Sequence, residues 1–164
     1  MPRVAPIPLE VNVMSERKTH TNLPQWIQDH LRRYVESNGA DGHLWDSSPV
    51  GGPGPVPTLL LTTIGRRSGQ PIVMPLIYGQ AGNTYVVVAS KGGAPQHPGW
   101  YLNLVAQPAV EVQVVADRFR AKARTATGEE RTVLWKKMAA IYPPYNTYQA
   151  KTDREIPVVV LKRL

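Results

Sequence analysis

The stretch from Pro57 to Tyr78, PTLLLTTIGRRSGQPIVMPLIY, constrains the fold more than any other part of the 164-residue chain. Leu59, Leu60, Leu61 and Ile64 precede a short polar turn, Gly65-Arg66-Arg67-Ser68-Gly69, and Ile72, Val73, Met74, Leu76 and Ile77 follow it. Two apolar runs divided by a Gly-bounded turn predict a β-hairpin. The apolar residues do not alternate strictly, so both faces of these strands are expected to be buried. The tip is cationic. Two adjacent arginines between glycines offer guanidinium forks and backbone N–H groups, which suit phosphate or carboxylate. A solvated loop tip fits the turn equally well when it is read alone.

The rest of the chain supplies a setting for that hairpin. Residues 1–21 carry Pro2, Pro6 and Pro8 and read as a flexible arm before one domain spanning 22–164. A helix is expected from Asn22, with Thr21 or Asn22 as cap and Pro24 in the first turn. Trp26, Ile27, His30, Leu31, Tyr34 and Val35 form its apolar stripe, and Ser37-Asn38-Gly39 ends it. Docking on the domain is the simpler use of such a stripe. Contact with lipid, with Arg32 and Arg33 at head groups, is the alternative. Asp41 to Val56 is too rich in Pro and Gly for regular structure.

Past the hairpin, Gly79 to Asn83 reads as a turn and Thr84 to Ala89 as a central β-branched strand. Ser90-Lys91-Gly92-Gly93-Ala94 then leads to a short helix opened by His97-Pro98-Gly99-Trp100, with Pro98 early in its first turn. Free N–H groups, a helix dipole and one ammonium would converge there on an anion. Ala109 to Ala116 alternates as a half-exposed strand, Asp117 turns the chain, and Arg118, Arg120, Lys122 and Arg124 give the next strand a basic face. Gly128 to Ile141 reads as a helix capped by Thr127, with Val133, Leu134, Trp135, Met138 and Ile141 as its buried stripe. Tyr142, Tyr145 and Tyr148 follow, and Tyr145 and Tyr148 would share a helix face. Buried phenols need hydrogen-bond partners, so this cluster is a candidate site as well as a candidate interface. Ile156 to Leu161 closes the chain as a strand with Pro157 near its start.

Composition narrows the chemistry. The net charge of +7 favours anionic partners. The absence of cysteine removes disulfides, thiolate metal sites and thiol nucleophiles. His20, His30, His43 and His97 lack ligand spacing, so no metal is expected. No G-x-S-x-G, Walker A or G-x-G-x-x-G motif stands in its required context. The basic strand lacks interleaved aromatics, which argues against nucleic acid. No run approaches the ~18 apolar residues of a membrane span, so an intracellular, cytoplasmic protein is expected. What remains is a sheet-rich domain with two cationic, Gly-rich turns and a tyrosine cluster, which suits a large flat anionic cofactor.

Four motifs in series resemble one known family: LLLTTIGRRSGQPIVMPLIY, YVVVASKGGAPQHPGWYLNL, YPPYNTYQ and DREIPVVVL. They are similar to the deazaflavin-dependent nitroreductases of actinobacteria, over roughly Pro57 to Leu164. The resemblance implies an α+β fold built on a split β-barrel. It implies coenzyme F420, a 5-deazaflavin with a phosphodiester and an oligoglutamate tail. It implies hydride transfer from reduced F420 to a quinone such as menaquinone, or to a nitroaromatic. Carried over by position, Arg66, Arg67 and Ser68 would hold the phosphate and tail; many members have Lys where this chain has Arg67. Ile72, Val73, Met74, Pro75, Leu76 and Ile77 would line the deazaflavin. Val88, Ala89, Ser90 and Lys91, with Gly99, Trp100, Tyr101, Leu102 and Asn103, would close the cofactor site, with Tyr145 nearby. Tyr142, Tyr145, Tyr148 and Ser90 match the substrate pocket, where Tyr142 or Tyr145 would donate a hydrogen bond to the developing anion. A homodimer and peripheral contact with a membrane are also expected. A non-catalytic F420 carrier and an FMN-dependent split-barrel oxidoreductase are the competing readings.

Overall fold

The computed structural model describes residues 23–164; the expected arm at 1–21 and the caps at Thr21 and Asn22 lie outside the described residues. Pro55–Ile64 (β2) and Pro71–Ile77 (β3) form the antiparallel hairpin, with Leu59 opposite Leu76 and Leu61 opposite Met74. Gly65 N–H closes the turn onto the Gln70 carbonyl at 2.8 Å, and Gly69 supplies the left-handed residue at φ +71°. β2 is buried on both faces, with Leu59 and Leu61 in the barrel core and Leu60 under the Leu31–Tyr34 face of the first helix, and β6 (Ala109–Val114) pairs with its other edge. β3 pairs with β2 alone. An edge strand tolerates proline, which explains Pro75 inside β3.

The sheet has eight strands, all paired antiparallel. Besides those named, they are β1 (Leu44–Asp46), β4 (Gly79–Ala81), β5 (Thr84–Val88), β7 (Asp117–Thr125) and β8 (Val158–Arg163). From β2 the order runs β6, β7, β8, β5, β4. Tyr78 alone separates β3 from β4, so the chain changes partner there, from β2 to β5. The two ends of the pairing path, β3 and β4, are joined by the chain itself at this bend, giving a split β-barrel. Its interior holds Leu59, Leu61, Val87, Val112, Phe119 and Leu161, each contributing roughly 1.5–3 kcal/mol on burial.

Four helices flank the sheet: α1 (Gln25–Glu36), α2 (Gly99–Ala106), α3 (Gly128–Ile141) and α4 (Pro144–Ala150). α1 docks through Leu31 and Tyr34 on Leu60 and Val73. Tyr34 Oη donates toward the Thr58 and Gln113 carbonyls, at 3.0 and 3.4 Å, and accepts from Val115 N–H at 2.9 Å. Burial pushes this phenol up to about 12. Arg32 and Arg33 are occupied by Asp29, Glu36 and Asp41.

Several local expectations are corrected. Asp41–Val56 is not all loop: β1 pairs with the first residues of β2, and Ser48–Val50 forms a 3-10 turn. Gly79–Ala81 is a strand, so the turn before β5 is Gly82-Asn83. Val115 and Ala116, not Asp117, turn β6 into β7. Val115 adopts φ +57°, a strained value for a β-branched residue, and Tyr34 and Gln113 hold it there. Gln113 is buried for the same reason. Pro24 and Pro98 stand at the N-caps of α1 and α2 rather than inside them. Thr127 occupies the N-cap of α3 without a side-chain cap bond, and Val133 is 61 % exposed because Leu134 and Met138 face the sheet instead.

Candidate active site

A cavity of about 940 Å³ is walled by α1, β3, the end of β5, the loop after it, the start of α2 and the tyrosines around α4. That volume is near the upper end for small-molecule sites. Its wall carries three cations, Arg66, Arg67 and Lys91, and no carboxylate among the described residues.

The cationic end is built by the β2–β3 turn and α2. Arg66 is held in place: its backbone N–H and its Nη1 both donate to Asn103 Oδ1, at 3.1 and 3.0 Å, and Nη1 reaches the Gly99 carbonyl at 3.5 Å. Asn103, 3 % exposed, also donates to Thr63 Oγ1 at 3.2 Å. The turn is therefore tied to α2 by a satisfied amide. Arg67 and Ser68 complete the exposed tip, with Ser68 Oγ accepting from Gln70 N–H at 3.1 Å. Gly99 and Trp100 line the cavity where the first N–H groups of α2 lack helical carbonyls. Cations and orphan donors at one end, with no opposing acid, fit a polyanionic group.

The middle wall is apolar. Ile72, Met74, Pro75, Leu76 and Ile77 of β3 face the cavity, with Val88 across from them. β3 has one edge without ladder bonds, so backbone donors and acceptors border this wall.

The far wall is phenolic. Tyr142 and Tyr148 share a hydrogen bond at 2.8 Å between their hydroxyls, which uses one hydroxyl hydrogen of the pair and leaves the other for a ligand. Tyr145 packs edge-on against Tyr142, with centroids 4.9 Å apart. It is 4 % exposed, and its hydroxyl has no hydrogen-bond partner among the described residues. Burial first, then the neighbouring phenols, pushes Tyr145 far above the usual range; burial and the Tyr148 bond do the same to Tyr142. Both are neutral donors at physiological pH.

The structure brings together Arg66, Arg67, Ser68, Ile72, Met74, Pro75, Leu76, Ile77, Val88, Ser90, Lys91, Gly99, Trp100, Asn103, Tyr142, Tyr145 and Tyr148. Val73, Ala89, Tyr101 and Leu102 are off the wall. Val73 points to α1, Ala89 lies in the barrel core, Tyr101 bonds Thr125 at 2.9 Å and packs on His97, and Leu102 is half-buried away from the cavity. The motifs missed a further wall. Leu23, Trp26, Ile27 and His30 of the α1 region, with Trp45 and Val50, line the cavity too. Trp26 stacks on Trp45 with centroids 5.7 Å apart and stays 52 % exposed. His30 Nε2 donates to the Gly42 carbonyl at 2.7 Å, and burial holds its pKa below the ordinary value.

Residues 26–163 match the family model for F420H(2)-dependent quinone reductases. An F420H(2)-dependent quinone reductase of Mycobacterium tuberculosis H37Rv is 39% identical over 154 residues, covering 87% of this chain and 99% of that protein. Among solved structures, an F420-H2-dependent reductase is 44% identical, covers 64% of this chain and 93% of that one, and superposes with a TM-score of 0.60. Another, described as a domain-swapped dimer, is 39% identical, covers 84% and 98%, and gives a TM-score of 0.64. The chain thus belongs to the F420H(2)-dependent quinone reductase family.

Proposed function

We propose that the protein reduces quinones with reduced coenzyme F420. One observation carries this reading: a single cavity joins an acid-free cationic end to a wall of neutral phenols across an apolar floor. The donor set fits the cofactor, whose tail is polyanionic and whose ring is flat and apolar. Arg66, Arg67, Ser68 and the α2 N-terminus would hold the phosphate and tail. The apolar β3 wall would take the ring, with Ser90 and Lys91 on the same cavity wall. When bound, reduced F420 supplies a hydride, that is, two electrons in one step. The apolar walls would orient a quinone in the cavity and exclude water from it. Addition of the hydride leaves negative charge on a quinone oxygen. Tyr145 donates its uncommitted O–H to that oxygen, and the free hydroxyl hydrogen of the Tyr142–Tyr148 pair serves as a second donor. A phenol held above its ordinary range acts here by hydrogen bond rather than by giving up its proton.

The test is calorimetric titration with F420 and with FMN, followed by oxidation of reduced F420 by menadione and by an activated nitroaromatic. Preferential F420 binding and quinone-dependent turnover support the reading. Preference for FMN, or tight F420 binding without turnover on any acceptor, overturns it.

Among the described residues no helix is long and apolar enough to cross a membrane. Trp26 and Val50, exposed on the cavity wall, support peripheral membrane contact where an apolar quinone enters. Liposome flotation checks this, and absence of association removes it. The domain-swapped neighbour supports a homodimer, which sedimentation would reveal.

A further inference from the structure

The loop that brings Ser90 and Lys91 to the cavity has few hydrogen bonds of its own, and Lys151 Nζ adds only a long one to the Gly92 carbonyl at 3.4 Å. Lys91, Gly92 and Gly93 all adopt left-handed φ, at +47°, +62° and +81°. Such a value is costly for lysine. Its own turn bonds are Gly93 N–H to the Ser90 carbonyl at 2.9 Å and Ala94 N–H to the Lys91 carbonyl at 3.1 Å.

Arg154 supplies what the loop lacks. Its half-buried guanidinium donates from Nε to the Ala94 carbonyl at 2.8 Å and from Nη2 to the Ser90 carbonyl at 2.7 Å. Nη1 donates to the Ala89 carbonyl at 3.3 Å and to His97 Nδ1 at 3.1 Å. All four acceptors are neutral, and among the described residues no carboxylate pairs with this charge. The planar fork is therefore spent on geometry, spanning both ends of the loop. The far side is anchored as well. The Arg154 carbonyl accepts from Gln149 Nε2 at 2.8 Å, and Gln149 belongs to α4. Gly93 packs against the same helix so tightly that a Cβ would sit 2.6 Å from the Tyr148 carbonyl oxygen.

We propose that Arg154 is a positioning residue: it clamps the Ser90–Ala94 loop to the helix bearing Tyr145 and Tyr148, and so fixes the cofactor-side loop relative to the phenolic wall. Its bearing on the cofactor rests on the F420 reading above; the clamp itself does not. The test compares wild type, Arg154→Ala and Arg154→Lys in two ways: amide hydrogen exchange without cofactor, and F420 binding by fluorescence titration. Losing several charge-assisted bonds should speed exchange across residues 90–97 about tenfold or more in Arg154→Ala, with the β2–β3 hairpin unchanged. F420 should bind about tenfold more weakly, Arg154→Lys should fall between, and millimolar guanidinium should restore part of the Arg154→Ala affinity. Unchanged exchange at 90–97, or unchanged affinity in a protein that binds F420, overturns the proposal. If Arg154→Ala does not fold, Arg154→Lys carries both comparisons. If wild type does not bind F420, the functional reading fails while the exchange data still decide the clamp.

Discussion

The two ends of the cavity solve opposite problems. At the β2–β3 turn, permanent charges stand exposed, and the structure spends a buried amide, Asn103, on aiming one of them. At the tyrosine end, the groups are buried and uncharged, and their hydroxyls bond each other or nothing. Exposed, weakly hydrated guanidiniums bind anions at a smaller desolvation cost than buried charges, so the first end is suited to grip. Buried neutral donors in an apolar setting strengthen as charge develops, so the second is suited to chemistry. Separating the two lets affinity and turnover be altered one at a time.

The largest expected effect breaks the phenolic end. Tyr145→Phe should lower kcat about 100-fold, the usual cost of one donor to a developing oxyanion, while leaving F420 affinity within about threefold. Steady-state kinetics beside a binding titration separates the two. Next, Arg66→Ala should weaken F420 binding by about 30-fold through loss of a charge-assisted contact, with little change in melting temperature because the side chain is exposed. Trp26→Ala should raise KM about fivefold for a quinone with a long apolar tail and leave menadione unaffected, since the stacked Trp26–Trp45 pair lies on the cavity rim.

The smallest effect is on stability. Burial holds His30, His43 and His97 below the ordinary histidine value of about 6.5. The unfolded chain therefore takes up protons first as pH falls. Stability is full above about pH 6.5 and declines below it, toward the depressed folded-state values. Melting curves from pH 7 to 5 should show a falling midpoint, and His30→Gln should flatten that slope.

The cationic end was far more legible in the sequence than the aromatic rim. Its two arginines lie within one contiguous hairpin, where apolar runs and Gly-bounded turns carry local signals. β1 escaped because three residues in a Pro/Gly-rich stretch become a strand only by pairing with β2. Trp26 belongs to the apolar stripe of α1, and a helical stripe shows which residues share a face, not where a docked sheet ends. Arg154 was invisible for a different reason. Its four partners lie 57 to 65 residues earlier in the chain, and a lone arginine beside an Asp gives no local sign of them. Val73 and Ala89 sit inside motifs that reach the cavity, yet Val73 packs under α1 and Ala89 in the barrel core, contacts that only the tertiary fold creates.

The division between grip and chemistry can be tested in one measurement: single-turnover oxidation of reduced F420 by menadione, followed by stopped flow at saturating cofactor. Arg66→Ala should react at close to the wild-type rate once loaded, whereas Tyr145→Phe, fully loaded, should remain about 100-fold slower. A slow, saturated Arg66→Ala or a Tyr145→Phe at the wild-type rate would contradict the account.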